Sequence, residues 1–161
     1  MLNNLTPLED NVDVILQQPL LFTNNIIYYG EWNKTTNQRH GRGIQLWEDG
    51  CIYKGYWVNN KANIFGILKH ADGDIYEGEW VNDKTQGKGT YIHVEGARYD
   101  GQWNNDKQNG IGKESWPDGA YYLGDFKDGK KHGEGEFFWS DGSKYKGQFY
   151  ENNIQGKGIF K

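Results

Sequence analysis

The chain has little of what marks several large classes of protein. Its 161 residues include a single cysteine, Cys51, so no disulfide can form within the chain and a reducing compartment is favoured. Only three prolines are present, which leaves β-strands uninterrupted. No apolar run reaches the roughly 18 residues of a transmembrane helix, and no secretory signal opens the sequence. These absences predict a cytoplasmic protein.

Basic residues are also too few for a nucleic-acid-binding surface. The 18 Lys and Arg are outnumbered by 22 Asp and Glu, which gives a formal charge of −4. Because a phosphate backbone favours a strongly basic face, we expect no nucleic-acid partner. Leu, Ile, Val and Phe make up only about a fifth of the chain, near the lower limit for a packed core. Aromatic residues reach 16%, so the apolar area must be concentrated in rings.

A repeated motif accounts for most of the glycine and aromatic content. The pattern Tyr-x-Gly-x-Trp, with Phe replacing Trp in the last two copies, begins at Tyr53 and returns every 23 residues through Tyr145. An earlier copy begins at Tyr28, with two extra residues near Thr35. With the first Tyr as position 0, glycines recur at positions 2, 11, 13 and 20, and 22 of 23 glycines fit, Gly129 being outside. Such periodicity indicates an array of similar structural units.

The array divides into six repeats that follow an N-terminal segment. The predicted bounds of repeats 1 to 6 are 28–52, 53–75, 76–98, 99–121, 122–144 and an incomplete 145–161. Repeat 6 stops before its turn, so we expect the array to continue beyond Lys161 in the parent protein. Residues 1–27 are predicted to form a capping segment.

Alternation within each repeat predicts two antiparallel strands. Positions 0, 2 and 4 read aromatic, glycine, aromatic, while positions 1 and 3 are mostly charged or amide residues, as in a strand with one apolar face. Positions 13, 15 and 17 give the second strand, before a turn that contains glycine. We predict that position 4 lies opposite position 13, 2 opposite 15 and 0 opposite 17, so that large rings cover glycines. The predicted fold is all-β: an elongated single-layer antiparallel sheet of stacked β-hairpins with a short N-terminal helix.

The segment before the array has the pattern of a helix start. Residues 6–9, Thr-Pro-Leu-Glu, fit a capping box with proline at the first helical position. One helical face would then carry Leu8, Val12, Ile15 and Leu16. The predicted helix spans 7–18 and ends before Pro19. Its role is open between a cap over the first strand edge, a docking helix for a partner, and an extended lead-in.

No side chain in the repeats predicts catalysis or metal binding. The four histidines occupy repeat positions that other residue types fill elsewhere, and Cys51 has no histidine or acid at a recurring offset. The Gly-x-Gly pairs lack the Lys-Ser/Thr of a phosphate-binding loop. We therefore expect no enzyme activity, no catalytic residue, no metal and no cofactor. Anionic lipid attracts clustered Lys and Arg, but the net charge of this chain is negative and residues 127–132 are its only local basic cluster. Membrane lipid is therefore a less favoured partner than protein.

The aromatic face is the one candidate binding surface. A single-layer sheet has no second sheet to cover its rings, so they either pack on one another or leave a groove for a helix or peptide, and both can hold in different repeats. The candidate partner-binding residues on this face are Tyr28, Trp32, Trp47, Tyr53, Trp57, Tyr76, Trp80, His93, Tyr99, Trp103, Trp116, Tyr122, Phe126, Trp139, Tyr145 and Phe149.

These motifs resemble the MORN repeat family (membrane occupation and recognition nexus) over residues 28–161. The departures are Ile64 in place of a glycine and Phe126 and Phe149 in place of tryptophan. The resemblance implies a non-catalytic protein–protein interaction scaffold, as in structural subunits of ciliary (axonemal, radial-spoke-like) or other cytoskeletal assemblies, and hence a place in the cytoskeleton or cilium. Two alternatives stay open: a phospholipid-associating module, and the regulatory repeat region of a longer lipid kinase or methyltransferase. Open sheet ends would also allow self-association.

Overall fold

The fold consists almost entirely of β-strands. The computed structural model describes residues 2–161, and in that part of the chain the only helical element is a single 3-10 turn, Leu2–Asn4. The chain divides into two compact units at the bond between Lys84 and Thr85, inside repeat 3. The predicted all-β fold of antiparallel hairpins is confirmed.

The N-terminal unit is an antiparallel sheet in which consecutive strands are neighbours from β3 to β7. Both β1 and β2 pair with the outer edge of β3. The strands of this unit are β1 Val14–Leu16, β2 Leu20–Leu21, β3 Ile27–Asn33, β4 Arg39–Leu46, β5 Ile52–Val58, β6 Lys61–Lys69 and β7 Ile75–Val81.

The C-terminal unit repeats the same design. Its strands also pair antiparallel in chain order. They are β8 Lys84–Ile92, β9 Arg98–Asn104, β10 Lys107–Ser115, β11 Tyr121–Lys127, β12 Lys130–Phe138, β13 Lys144–Tyr150 and β14 Asn153–Phe160.

The helix predicted over 7–18 is not formed, and this segment is extended. Val14 pairs with Asn33, and Leu20 with Tyr28, so the chain lies along the outer edge of β3 on both sides of Pro19. An isolated helix of about 12 residues is marginal in water, whereas an open strand edge offers a row of unpaired backbone groups. Asn11, with a left-handed φ of 58°, also interrupts any helix there.

The strand register differs from the predicted one by two residues. Position 2 lies opposite position 13 rather than 15: Gly55 pairs with Gly66, and Tyr53 with Leu68. A bulge in the second strand at position 11, where Ile64 has a left-handed φ of 64°, shifts the pairing by two more residues toward the turn, so that Tyr56 pairs with Asn63 and Trp57 with Ala62. An offset of two residues leaves every side chain on its predicted face.

The paired glycines are required by the tyrosine that lies above them. A Cβ atom added at Gly55 would lie 2.5 Å from the Tyr53 hydroxyl oxygen and 2.5 Å from the Cα of Gly66, which is far inside van der Waals contact. The ring therefore covers the glycine pair and takes the place of the missing side chains. The same arrangement recurs in the C-terminal unit, where Tyr122 covers Gly124 and Gly135.

The rings at positions 0 and 4 form the core of each unit. Tyr53 contacts the edge of Trp57 in its own repeat and of Trp80 in the next, with ring centroids 5.2 and 5.3 Å apart and planes nearly perpendicular. In the C-terminal unit Tyr122 makes the same pair of contacts with Phe126 and Phe149. Edge-to-face packing is favourable for aromatic rings, so the ladder gives a one-layer sheet a core of its own.

The short turns inside the hairpins carry a second recurring contact. In repeats 2 to 6 the turn has two residues with left-handed φ, such as Asn59 and Asn60 at 48° and 69°, typical of a type I′ turn. The side chain of the second residue accepts the backbone N–H of position 9 in the preceding repeat: Asn60 accepts Arg39 N–H at 2.8 Å, and Asp83 accepts Ala62 N–H at 2.7 Å. Gly129, the glycine outside the sequence pattern, occupies this place in repeat 5.

Candidate functional site

Most of the predicted binding rings are buried and act as core. The position 0 tyrosines are at most 4% exposed and the position 4 rings at most 8%, so a partner cannot lie against their faces without unfolding the sheet. These buried rings are Tyr28, Trp32, Tyr53, Trp57, Tyr76, Trp80, Tyr99, Trp103, Tyr122, Phe126, Tyr145 and Phe149. The half-buried rings are those of position 17, namely Trp47, His93, Trp116 and Trp139.

The buried tyrosines are fixed by their hydroxyl groups. Each hydroxyl donates to the backbone carbonyl three residues later, as from Tyr53 to Tyr56 O at 3.0 Å and from Tyr122 to Asp125 O at 2.9 Å. Burial raises the pKa of Tyr53 and Tyr122 well above the ordinary value, because the ionised form would lose its hydration. The buried tyrosines are therefore neutral and held in one orientation.

A groove opens on the ring face of the N-terminal unit. It has a volume of about 450 Å³ and lies above the buried Tyr53, Trp57 and Ala62. The half-buried side chains of Trp47, Leu68 and His70 line it as well, together with Arg39, Gln45, Asp49, Cys51, Asn60, Trp80 and Asp83. Apolar surface with a few polar groups at its rim is typical of a ligand-binding cleft.

Two residue positions that shape the groove are absent from the predicted set. Position 15 contributes Gln45 and Leu68, and position 9 contributes Arg39 and Ala62. Their place follows from the observed register, because position 15 stands opposite the buried tyrosine. Position 9 varies between repeats in size and charge, and this variability was the available signal that it shapes the ring face differently in each repeat.

Arg39 is held against the rings at one end of the groove. Its guanidinium carbon lies 4.3 Å from the Trp57 ring centroid, and the group donates to the Asn60 carbonyl at 2.7 Å and to Gln45. Burial lowers the pKa of Arg39, while the negative charge of Asp83 acts against that shift. The buried Trp57 Nε1 has no hydrogen-bond partner in the part of the chain that the structure describes, whereas Trp80 Nε1 donates to Gly66 O at 3.1 Å.

The opposite face of the N-terminal unit is crossed by the extended N-terminal segment. Arg42 pairs with the buried Glu31 and donates to the carbonyl of Leu5 at 3.0 Å. The ring nitrogen Nε2 of the buried His40 lies 2.6 Å from the Asp10 carboxylate, and the pairing with His40 lowers the pKa of Asp10. The segment thus contributes polar contacts to this face, while the ring face keeps its groove.

The basic cluster predicted at 127–132 does not form one charged patch. Lys130 lies 3.4 Å from Glu151, and Lys131 is directed onto the ring face, where it contacts Glu114. Partial neutralisation of this kind weakens attraction to anionic lipid. Across residues 2–161 no helix is long and apolar enough to cross a membrane.

No chemical centre accompanies the groove. Within the described part of the chain there is no group of three or more His, Cys, Asp or Glu side chains that could hold a metal ion. Cys51 lies at the groove rim, and burial raises the pKa of its thiol, which disfavours the reactive thiolate.

Comparisons with solved structures give only distant matches to this chain. No curated protein matches the chain significantly. Among 33 matching chains of solved structures is the TCP domain of SAS-4 (dCPAP) of Drosophila melanogaster, in complex with a proline-rich motif of Ana2 (dSTIL), at 12% identity and a TM-score of 0.46. That match covers 80% of this chain and 62% of the SAS-4 chain. The G-box domain of the microcephaly protein CPAP matches at 10% identity and a TM-score of 0.40, over 94% of this chain and 98% of its own.

The family comparison reproduces the repeat bounds read from the glycines and tyrosines. The MORN repeat, a non-catalytic repeat, matches residues 28–52, 53–75, 76–98, 99–121, 122–144 and 145–161. Since these six matches are consecutive and span more than half of the sequence, the chain belongs to the MORN repeat family.

Proposed function

We propose that this chain is a non-catalytic scaffold that binds a segment of another protein along its ring face. The observation that carries the proposal is the groove of the N-terminal unit, where half-buried Trp47, Leu68 and His70 surround a volume of about 450 Å³. An apolar cleft of this size fits a few side chains of an extended peptide or one face of a helix.

The rigidity of the face supports the same role. Tyr53, the tyrosine of the groove lining, is locked by a hydroxyl hydrogen bond and by two edge-to-face ring contacts, with Trp57 and Trp80. A surface that is ordered before binding loses little conformational entropy when a ligand arrives. Such pre-organisation is the property that a scaffold requires.

The cellular setting of the proposal is a cytoskeletal or ciliary assembly. Its support is the family resemblance of the repeats, together with a sequence that has neither a disulfide framework nor a membrane-spanning run. Self-association through a sheet end is a further proposed property. At the outer edge of β3 it would require displacement of β1 and β2, which pair there.

The test compares two doubly substituted proteins that differ only in the face they alter. Trp47→Ala with Leu68→Ser removes the groove lining, while Ile52→Ser with Ile67→Ser changes exposed residues of the opposite face. We expect partners that co-purify with the native chain from cells to be lost from the first variant and kept by the second. Both variants must first show the native circular dichroism spectrum. Retention of the same partners by the groove variant would contradict the proposal.

A further inference from the structure

A lysine of the C-terminal unit sits in an aromatic cage made by its own chain. Lys131, at position 9 of repeat 5, places its Nζ 4.9 Å from the ring centroid of Trp116, 5.4 Å from that of Tyr122 and 5.9 Å from that of Phe126. Glu114 contacts the same ammonium. The lysine side chain is only 12% exposed, so rings and carboxylate together hold a cation that is largely out of water.

The groove of the N-terminal unit is built from the same repeat positions. Trp47 corresponds to Trp116, Tyr53 to Tyr122 and Trp57 to Phe126, and all three groove residues line the 450 Å³ volume. Position 9, which is Lys131 in repeat 5, is Ala62 in repeat 2. The methyl group of Ala62 leaves open the space that the lysine stem and ammonium fill in the C-terminal unit.

The charges around the groove favour a cation in that space. Asp49 and Asp83 both line it, and their carboxylates are exposed. Asp83 accepts the backbone N–H of Ala62 at 2.7 Å, which places its carboxylate beside Ala62 in the groove. Gln45 stands at the position of Glu114 but already accepts from Arg39, so the acidic partners here are the two aspartates at the rim.

Arg39 is the one Lys or Arg of the described residues in the groove lining, and its guanidinium is already bound. It lies 4.3 Å from the Trp57 ring centroid and donates to the Asn60 side chain at 3.4 Å, to the Asn60 carbonyl at 2.7 Å and to Gln45. The half-buried ring of Trp47 lines the same groove. A second cation would therefore contact Trp47 rather than the buried ring of Trp57, which Arg39 already covers.

We propose that the groove above Ala62 binds the side chain of a lysine from a partner protein, with its ammonium against the half-buried ring of Trp47 and attracted by the carboxylates of Asp83 and Asp49 at the groove rim. Lys131 in its cage of Trp116 and Glu114 is the template for this contact. The inference rests on the proposed function, since it names the chemistry of the segment that the ring face receives. The partner segment is accordingly basic, which also suits the formal charge of −4 on this chain.

The experiment uses two synthetic nonapeptides that differ in one atom group. The first, acetyl-Gly-Ser-Leu-Thr-Lys-Thr-Leu-Ser-Gly-amide, carries a central lysine, and the second carries norleucine, which keeps the carbon stem without the ammonium. Each is titrated into the ¹⁵N-labelled 161-residue protein, and the indole N–H signals of Trp47 and Trp57 are followed by NMR. We expect the lysine peptide to shift both signals with at least about fivefold tighter binding than the norleucine peptide, as cation–π and ion-pair contacts imply.

Two variants test separately the carboxylate of Asp83 and the space above Ala62. Asp83→Asn keeps the acceptor for the Ala62 N–H, as Asn60 does at the same position of repeat 2, but removes the charge. We expect it to weaken the lysine peptide by about threefold or more and to leave the norleucine peptide unchanged. Asp106→Asn, the same change in the C-terminal unit, is the matched control and should alter neither. Ala62→Lys supplies the cation from the chain itself and should abolish binding of the lysine peptide.

The outcomes distinguish this inference from the function on which it rests. Equal affinity for the two peptides, with the same shifts at Trp47, would show an apolar anchor site, so the lysine inference would be overturned while a peptide-binding groove stands. An absence of shifts with both peptides would also overturn the inference, and the paired face variants described above would then decide the proposed function separately.

Discussion

Removal of one ring from the ladder is the sharpest test of how this sheet is held together. Trp80 is 5% exposed, contacts Tyr53 and Tyr76 edge-to-face at 5.3 and 5.2 Å, and donates its indole N–H to Gly66 O at 3.1 Å. Replacing a buried tryptophan by alanine costs about 3–5 kcal/mol through lost burial and the cavity left behind. Two ring contacts and one hydrogen bond place Trp80→Ala in the upper half of that range.

The assay is urea unfolding followed by circular dichroism, with Trp80→Phe and Lys69→Ala as companions. Phenylalanine occupies this position naturally at Phe126 and Phe149, so Trp80→Phe keeps the ring contacts, loses the hydrogen bond and some volume, and should cost about 1–2 kcal/mol. Lys69 is exposed, and its substitution should stay within about 0.5 kcal/mol. A loss below about 1 kcal/mol for Trp80→Ala would refute the view that the ring ladder is the core.

Three further predictions concern the turns, the bulge and the tyrosines. Ile64 is exposed and holds a left-handed φ of 64°, so Ile64→Gly should raise the free energy of unfolding by about 1 kcal/mol, and a loss of stability in the same urea assay would contradict the bulge. Gly129→Asn should add the turn contact that Asn60 makes and raise the thermal midpoint, with a gain of about 0.5–1 kcal/mol; a lower midpoint would count against that contact. Burial raises the pKa of Tyr53 and Tyr122 above the ordinary value of about 10, so the unfolded chain loses these protons first. Stability should therefore be complete below about pH 10 and fall above it, and unfolding free energies that stay constant from pH 9 to 11 would argue against burial of these hydroxyls.

The repeat and its two faces could be predicted because they are properties of single strands. Alternation of aromatic and polar residues around Gly55 or Gly78 fixes which side chains share a face, whatever the neighbouring strand does. The six repeat bounds follow from the glycine spacing for the same reason. These features needed no knowledge of how strands meet.

The register and the N-terminal segment depend on contacts between strands, and here the sequence patterns were insufficient. Position 11, where the bulge lies, is glycine in five repeats, but glycine at that place is equally consistent with a turn. Repeat 2 has Ile64 there, so its sequence gives no sign of the bulge. The segment around Val14 has a helical pattern, yet the open edge of β3 converts it to a strand. Local propensity was overruled in both cases by backbone pairing.

The groove was the least predictable feature because it depends on one small side chain at position 9. Ala62 opens the surface above Trp57, whereas Lys131 closes the corresponding surface in repeat 5. Sequence spacing alone placed Trp57 and Trp47 on one face but could not show that the first is buried and the second only half-buried. Distinguishing core from binding surface required the packing of the rings.

Photo-crosslinking from two adjacent residues of β6 tests the central claim most directly. Leu68 lines the groove on the ring face, while Ile67, 36% exposed, points to the opposite face. With p-benzoylphenylalanine at one or the other position, we expect a bound partner protein to be crosslinked from position 68 and not from position 67. Crosslinking from position 67 alone would place the partner on the other face and contradict the account.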